Sequence, residues 1–111
     1  FVPSRGLGDV YKRQLKKGIG TMIEGIDDLI KSGWKKSKDG NAITKTFIFT
    51  NFIEALGWMV KVGVWAEKLN HHPEWDNVYK TVNVLLTTHD KGTITNLDVT
   101  LAQKMDTIYE S

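Results

Sequence analysis

The sequence contains no cysteine, which excludes disulfides, thiolate metal sites and a cysteine nucleophile together. It has two prolines and three histidines in 111 residues, and no internal repeat or low-complexity segment. An excess of charge is missing too: 15 Lys and Arg stand against 13 Asp and Glu, a formal net charge of +2, with the basic residues spread along the chain. That leaves no electrostatic case for direct nucleic-acid binding. No apolar run reaches the roughly 18 to 20 residues of a membrane span, and the first residues lack the basic start and apolar stretch of a signal peptide. The expectation is a soluble, cytoplasmic protein with no membrane contact. With 41% hydrophobic and 25% charged residues, the chain is not disordered in composition. A chain of this length buries about 65% of its unfolded surface, so the core is modest and association would add to it.

Residues 1–14 carry Pro3, Gly6 and Gly8 without an apolar period and read as an irregular leader of non-native origin, ahead of a single domain over residues 15–111. From Thr21 to Trp34, the residues Met22, Ile23, Ile26, Leu29 and Ile30 recur at helical steps, and Gly33 stops the helix. Trp34 to Ser37 suits a short strand, Asp39-Gly40 a tight turn, and Ala42 to Phe49 the second arm of a hairpin. Its Ile43, Phe47 and Phe49 should face one way, and Thr44, Thr46 and Ile48 the other. Asn51 with Glu54 three residues on has the form of a helix start, and the pattern then runs to Leu69. Phe52, Leu56, Met59, Val62 and Ala66 form one stripe of that helix. Ile53, Val60, Val64 and Trp65 leave only a narrow polar strip, which predicts cover on two sides, by the sheet and by a second subunit.

Pro73 ends that region. Val78 to Thr87 alternates as one strand, with Val78, Val82, Val84 and Leu86 on one face, and Asp90-Lys91-Gly92 follows as a turn. Thr93-Ile94 suits a short strand, and Thr95 with Asp98 a capping pair for a last helix carrying Leu97, Leu101, Met105 and Ile108. The fold expected is α+β: a four-stranded antiparallel sheet with three helices packed on one face, in the order α-β-β-α-β-β-α.

All three histidines, His71, His72 and His89, fall within nineteen positions. Adjacent imidazoles at a helix end project in different directions and cannot readily share one metal, and zinc-ligand spacings are absent. Such a pair can line two walls of a pocket and exchange protons near neutral pH, since imidazole titrates around pH 6.5. The plainer reading is a helix terminus where a cationic imidazole suits the helix dipole. Glu67, one turn before His71, either orients an imidazole or makes an ordinary surface pair. By spacing, Asp98 is a helix cap rather than a catalytic acid. Trp65, Trp75 and Tyr79 suit either a flat heterocycle or the core. Phosphate-cradling glycine loops and Ser-His-Asp arrangements are absent.

The spaced set Glu67, His71, His72, Pro73, Tyr79, His89 and Asp98 closely resembles the signature of the pterin-4a-carbinolamine dehydratase family. The stretch from Ala66 to Trp75, the residues Asn77 to Tyr79, and the aromatics Phe47, Phe49 and Phe52 are similar to it as well. The resemblance spans Gly33 to Met105, with Thr21 to Ile30 consistent as a first helix. It implies the α+β fold above, and dimers or dimers of dimers joined through the sheet and central helix. The activity implied is dehydration of 4a-hydroxytetrahydropterin to quinonoid dihydropterin, which regenerates the cofactor of aromatic amino-acid hydroxylases.

On that resemblance His71 and His89 are the acid and base candidates, and His72 holds the pterin and shares in proton transfer. Asn70 and Thr87 to His89, with Thr88 between, form pocket edges, Glu67 steers an imidazole, and Pro73 or Trp75 gives the ring an apolar wall. Asp98 completes the substrate-binding set. No metal or organic cofactor is implied, the pterin being the substrate. Asn70 departs from members that carry Asp there, keeping an acceptor and losing a charge. The resemblance also covers relatives that act by interaction, stabilising a homeodomain transcription-factor dimer or assisting Rubisco assembly. Retention of all three histidines favours the enzyme.

Overall fold

A computed structural model describes residues 23–111; the leader expected at residues 1–14 lies outside them. Helix α1 (Ile26–Lys31) is shorter than the apolar period suggests. Gly25 at its N-cap has φ +92°, a left-handed conformation that a right-handed helix cannot include. A Cβ there would also meet Val99 Cγ1 at 3.0 Å, so α1 approaches the last helix closely at this point. Ile26 and Leu29 are buried, while Ile30 is exposed.

Strand β1 (Lys35–Lys36) and strand β2 (Ile43–Ile48) form the expected hairpin. In its turn, Asp39 Oδ1 accepts from Ser37 Oγ at 2.7 Å and from the Asn41 N–H at 3.0 Å. The Ser37 hydroxyl first, and the Asn41 N–H second, hold the Asp39 carboxyl below its ordinary pKa. The turn's contribution to stability is therefore present above that ordinary value and lost as pH falls through the lowered one.

Asn51 caps helix α2 (Phe52–Leu69), its side chain accepting from Glu54 N at 2.9 Å. The buried stripe of α2 is Ala55, Trp58, Val62 and Ala66; Val62 and Ala66 hold their expected places, whereas Phe52 and Leu56 are exposed and the stripe turns through Ala55 and the core indole of Trp58 instead. Ile53, Leu56, Val60 and Val64 then form an exposed apolar row at helical spacing.

The second half of the sheet differs from the expectation in two respects. Strand β3 (Glu74–Val78) and strand β4 (Thr81–Leu86) are separate, joined by a tight turn at Tyr79 and Lys80. Tyr79 adopts φ +52°, and Asn77 Nδ2 donates to the Tyr79 and Thr81 carbonyls at 3.1 and 2.9 Å. An amide side chain thus supplies the turn chemistry where no glycine marks it. Val78 consequently faces solvent, away from the buried Val82, Val84 and Leu86. The Thr93-Ile94 strand reduces to one isolated bridge between Thr88 and Thr93. Sheet order is β1-β2-β4-β3, antiparallel throughout, and the overall order α-β-β-α-β-β-α is as expected.

Helix α3 (Asn96–Glu110) starts on the predicted Thr95/Asp98 capping box. Leu101 and Met105 are buried, but Leu97 is exposed in the first turn. The helices cover the face made by Ile43, Phe47, Val82, Val84 and Leu86. Phe47 is its aromatic centre, with the Trp58 ring 4.5 Å away and the Tyr109 ring at 5.0 Å. Trp58 Nε1 donates to the Met105 carbonyl at 3.1 Å, tying α2 to α3.

One polar cluster interrupts this core. Asp106 Oδ2 accepts from Ser32 Oγ at 2.8 Å and Trp34 Nε1 at 3.0 Å, and Asp106 Oδ1 lies 2.7 Å from Lys45 Nζ. The two charged side chains are only 13% and 14% exposed, and removing one leaves the other uncompensated. Asp106→Ala should therefore lower the unfolding free energy by roughly 3 kcal/mol, measured by urea denaturation; a loss below about 1 kcal/mol, the worth of a surface pair, would contradict this account.

Candidate functional site

The site is assembled where three elements end. The first is the C-terminus of α2. Asn70 takes φ +51° and ψ +44° there, and the His71 N–H bonds back to the Ala66 carbonyl at 3.0 Å. Asn, like Asp, tolerates this left-handed cap better than most residues, so a backbone demand explains what position 70 accepts. The reversal delivers His71 and His72 just ahead of Pro73 and edge strand β3. The second element is the end of β4, continuing into Thr87, Thr88 and His89. The third is the N-terminus of α3, with Thr95 and Asp98.

Asp98 is fully buried. Its Oδ2 accepts from Thr88 Oγ1 at 2.8 Å and from Thr95 N at 2.9 Å, and its Oδ1 lies 2.5 Å from His71 Nε2. The expected cap is formed, and the same carboxylate also meets His71. Its oxygens are occupied, so it reaches a ligand only through His71, whose side chain is 10% exposed.

Glu67 pairs with His72 rather than with His71: the Oε1 to Nε2 distance is 2.6 Å. With its φ of +51°, Asn70 takes His71 off the helical spacing that would have set it above Glu67. His89 is held by a residue that spacing did not single out, Glu74, with Oε2 2.6 Å from Nε2. Both of these pairs are well exposed. His71 and His72 are thus engaged at Nε2 by hydrogen bonds to Asp98 and Glu67, and His89 Nε2 lies at ion-pair distance from Glu74; an ionised carboxylate can only accept.

The remaining residues play different parts. Thr87 Oγ1 donates to the Asn41 carbonyl at 2.6 Å, tying the end of β4 to the first hairpin. Trp75 packs on Trp58 with ring centroids 6.1 Å apart and belongs to the core margin. Pro73 is half-buried beside the two histidines. Trp65 lies beneath the ammonium groups of Lys68 and Lys104 at 5.0 and 4.1 Å, while Tyr79 sits in the β3–β4 turn. Among the described residues, no group of three or more His, Asp or Glu side chains converges as a metal site requires, and no helix is long and apolar enough to cross a membrane. An open trough of about 770 Å³ lies over strand positions such as Thr44, Thr46, Asp76 and Asn83 and meets the histidine cluster only at Glu74. Asp98→Ala should lower the unfolding free energy by roughly 3 kcal/mol, since it removes a helix cap and leaves buried donors unpaired. Asp98→Asn, which keeps an acceptor for Thr95 N, should lose less; equal losses by urea denaturation would contradict the double role.

Comparison with known proteins shows the family to which the chain belongs. The profile described as pterin 4 alpha carbinolamine dehydratase matches residues 22–108. A relative from Roseobacter denitrificans is 59% identical over 83 residues, covering 75% of this chain and 85% of its own length, and bears the provisional name pterin-4-alpha-carbinolamine dehydratase. A relative from Chelativorans sp. with the same provisional name is 56% identical over 95 residues, covering 86% of this chain and 88% of its own. The crystal structure of a "transcriptional coactivator/pterin dehydratase" from Brucella melitensis superposes with a TM-score of 0.71 at 41% identity, over 76% of this chain and 92% of that one. A pterin dehydratase-like protein described as a RuBisCO assembly factor in the alpha-carboxysome shares the fold, with a TM-score of 0.61 at 16% identity, over 71% of this chain and 92% of that one. Matched along most of its length by the profile and by relatives more than half identical to it, this chain belongs to the pterin-4a-carbinolamine dehydratase family.

Proposed function

We propose that the protein is a hydro-lyase that converts 4a-hydroxytetrahydropterin to quinonoid dihydropterin by imidazole acid–base catalysis. The observation that carries this reading is the set of three histidines at converging element ends, each with Nε2 against a carboxylate. Dehydration needs a proton delivered to the 4a-hydroxyl as its C–O bond breaks. It also needs the N5 proton removed, so that the N–H electron pair forms the C4a=N5 double bond and water leaves. Imidazole suits both transfers near neutral pH.

His71 and His89 serve as the acid and base, and His72 holds the ring and shares in proton transfer. Asp98 and Glu67 keep His71 and His72 oriented. Asn70, Thr87 and Thr88 offer backbone groups at the pocket edge, and Pro73 an apolar wall. No metal or organic cofactor takes part, and the reaction returns pterin to aromatic amino-acid hydroxylases in the cytoplasm. The purified protein should accelerate dehydration of synthetic 4a-hydroxytetrahydropterin over buffer. His71→Ala and His89→Ala should each lose about a hundredfold or more while staying folded by circular dichroism. Wild-type rates equal to buffer would reject the enzyme.

The exposed row Ile53, Leu56, Val60 and Val64 supports a homodimer or homotetramer, with a second copy covering α2. It also leaves room for a second, interaction role such as the coactivator activity in the Brucella protein's title. Sedimentation at micromolar concentration should show a multimer, and Val60→Glu should dissociate it; a wild-type monomer would remove the argument for self-association.

A further inference from the structure

Glu67 and Asp98, the carboxylates facing His72 and His71, carry roles on the family resemblance, whereas Glu74, which faces His89 and lies within the similar stretch from Ala66 to Trp75, carries none. We propose that Glu74 is the positioning residue of His89: it holds the ring at Nε2–H and turns Nδ1 toward the substrate as the proton-exchanging nitrogen. This rests on the reading of His89 as an acid or base.

Both ends of the pair stand on fixed backbone. Glu74 opens β3 and is registered opposite Leu85 of β4. His89 lies in a turn closed by Thr88 N to the Thr93 carbonyl at 3.0 Å, Gly92 N to the Thr88 carbonyl at 2.9 Å and Gly92 N to the His89 carbonyl at 3.1 Å. The two side chains meet at 2.6 Å although they are 54% and 75% exposed. An imidazole that open to solvent has several rotamers and two neutral tautomers available, and proton transfer works from one ring orientation and one tautomer.

A carboxylate opposite Nε2 selects both together, since it can only accept. His71 and His72 also face a carboxylate at Nε2, there with hydrogen-bond geometry, whereas Glu74 and His89 meet as an ion pair. An exposed ion pair contributes little to folding, and its consequence here is for the chemistry.

The test is Glu74→Ala in the full chain, with Glu74→Gln beside it. Nitrogen NMR of the His89 ring should show the neutral wild-type ring protonated at Nε2, a mixture of tautomers in Glu74→Ala, and unchanged His71 and His72 signals. Thermal unfolding should barely move. In the dehydration assay, kcat should fall about ten- to a hundredfold in Glu74→Ala with KM little altered. Glu74→Gln, whose amide oxygen still accepts from Nε2–H, should recover part of that loss. A wild-type His89 ring protonated at Nδ1, a tautomer indifferent to Glu74→Ala, or an undiminished kcat overturns the proposal. A wild-type protein without dehydratase activity overturns the reaction instead, and the ring NMR still decides whether Glu74 sets the tautomer.

Discussion

The buried carboxylate of Asp98 is the constraint on which the site depends. Desolvating such a group without partners would cost several kcal/mol, and it finds them on three separate elements: the Thr95 N–H at the start of α3, the Thr88 hydroxyl beyond β4, and His71 beyond α2. Satisfying one charge therefore forces the end of a strand and the ends of two helices together. The α3 cap and the orientation of His71 draw on the same atoms, so the cap and the site form or fail together.

Around that buried pair the site grades outward. His71 is largely enclosed, and His72 and His89 stand in solvent on carboxylates of their own. The enclosed imidazole is fixed by packing and desolvation. The open ones have only a carboxylate contact to limit their rotation, and each anchor sits on regular structure, Glu67 in the last turn of α2 and Glu74 at the first position of β3. A rigid scaffold thus gives orientation to side chains that remain accessible to a ligand.

Much of this was legible in the sequence because it depends on local chemistry. The Asn51 and Thr95 caps, the Asp39-Gly40 turn and the element order follow from short-range patterns, and the histidines were visible by their scarcity. What local pattern does not reveal has two physical origins. The Tyr79–Lys80 turn carries no glycine, its left-handed residue is an aromatic, and its support comes from the Asn77 side chain. Alternation read through it as a single strand. With the hairpin unseen, nothing brought Glu74 near His89, and the Glu74 carboxylate stayed anonymous between two recognisable neighbours. The rotation of the α2 stripe has a different source: burial centres on Trp58, packed on Phe47 and bonded to the Met105 carbonyl, with Ala55, Val62 and Ala66 beside it.

The two exposed imidazoles are moored to different bodies, His72 through Glu67 to helix α2 and His89 through Glu74 to edge strand β3. Those bodies meet in the interior, where the Trp58 and Trp75 rings pack 6.1 Å apart at 50° and Trp58 also leans on Phe47. The spacing of the two anchors is therefore tied to core packing, because the contact between the two indoles joins helix α2 to strand β3.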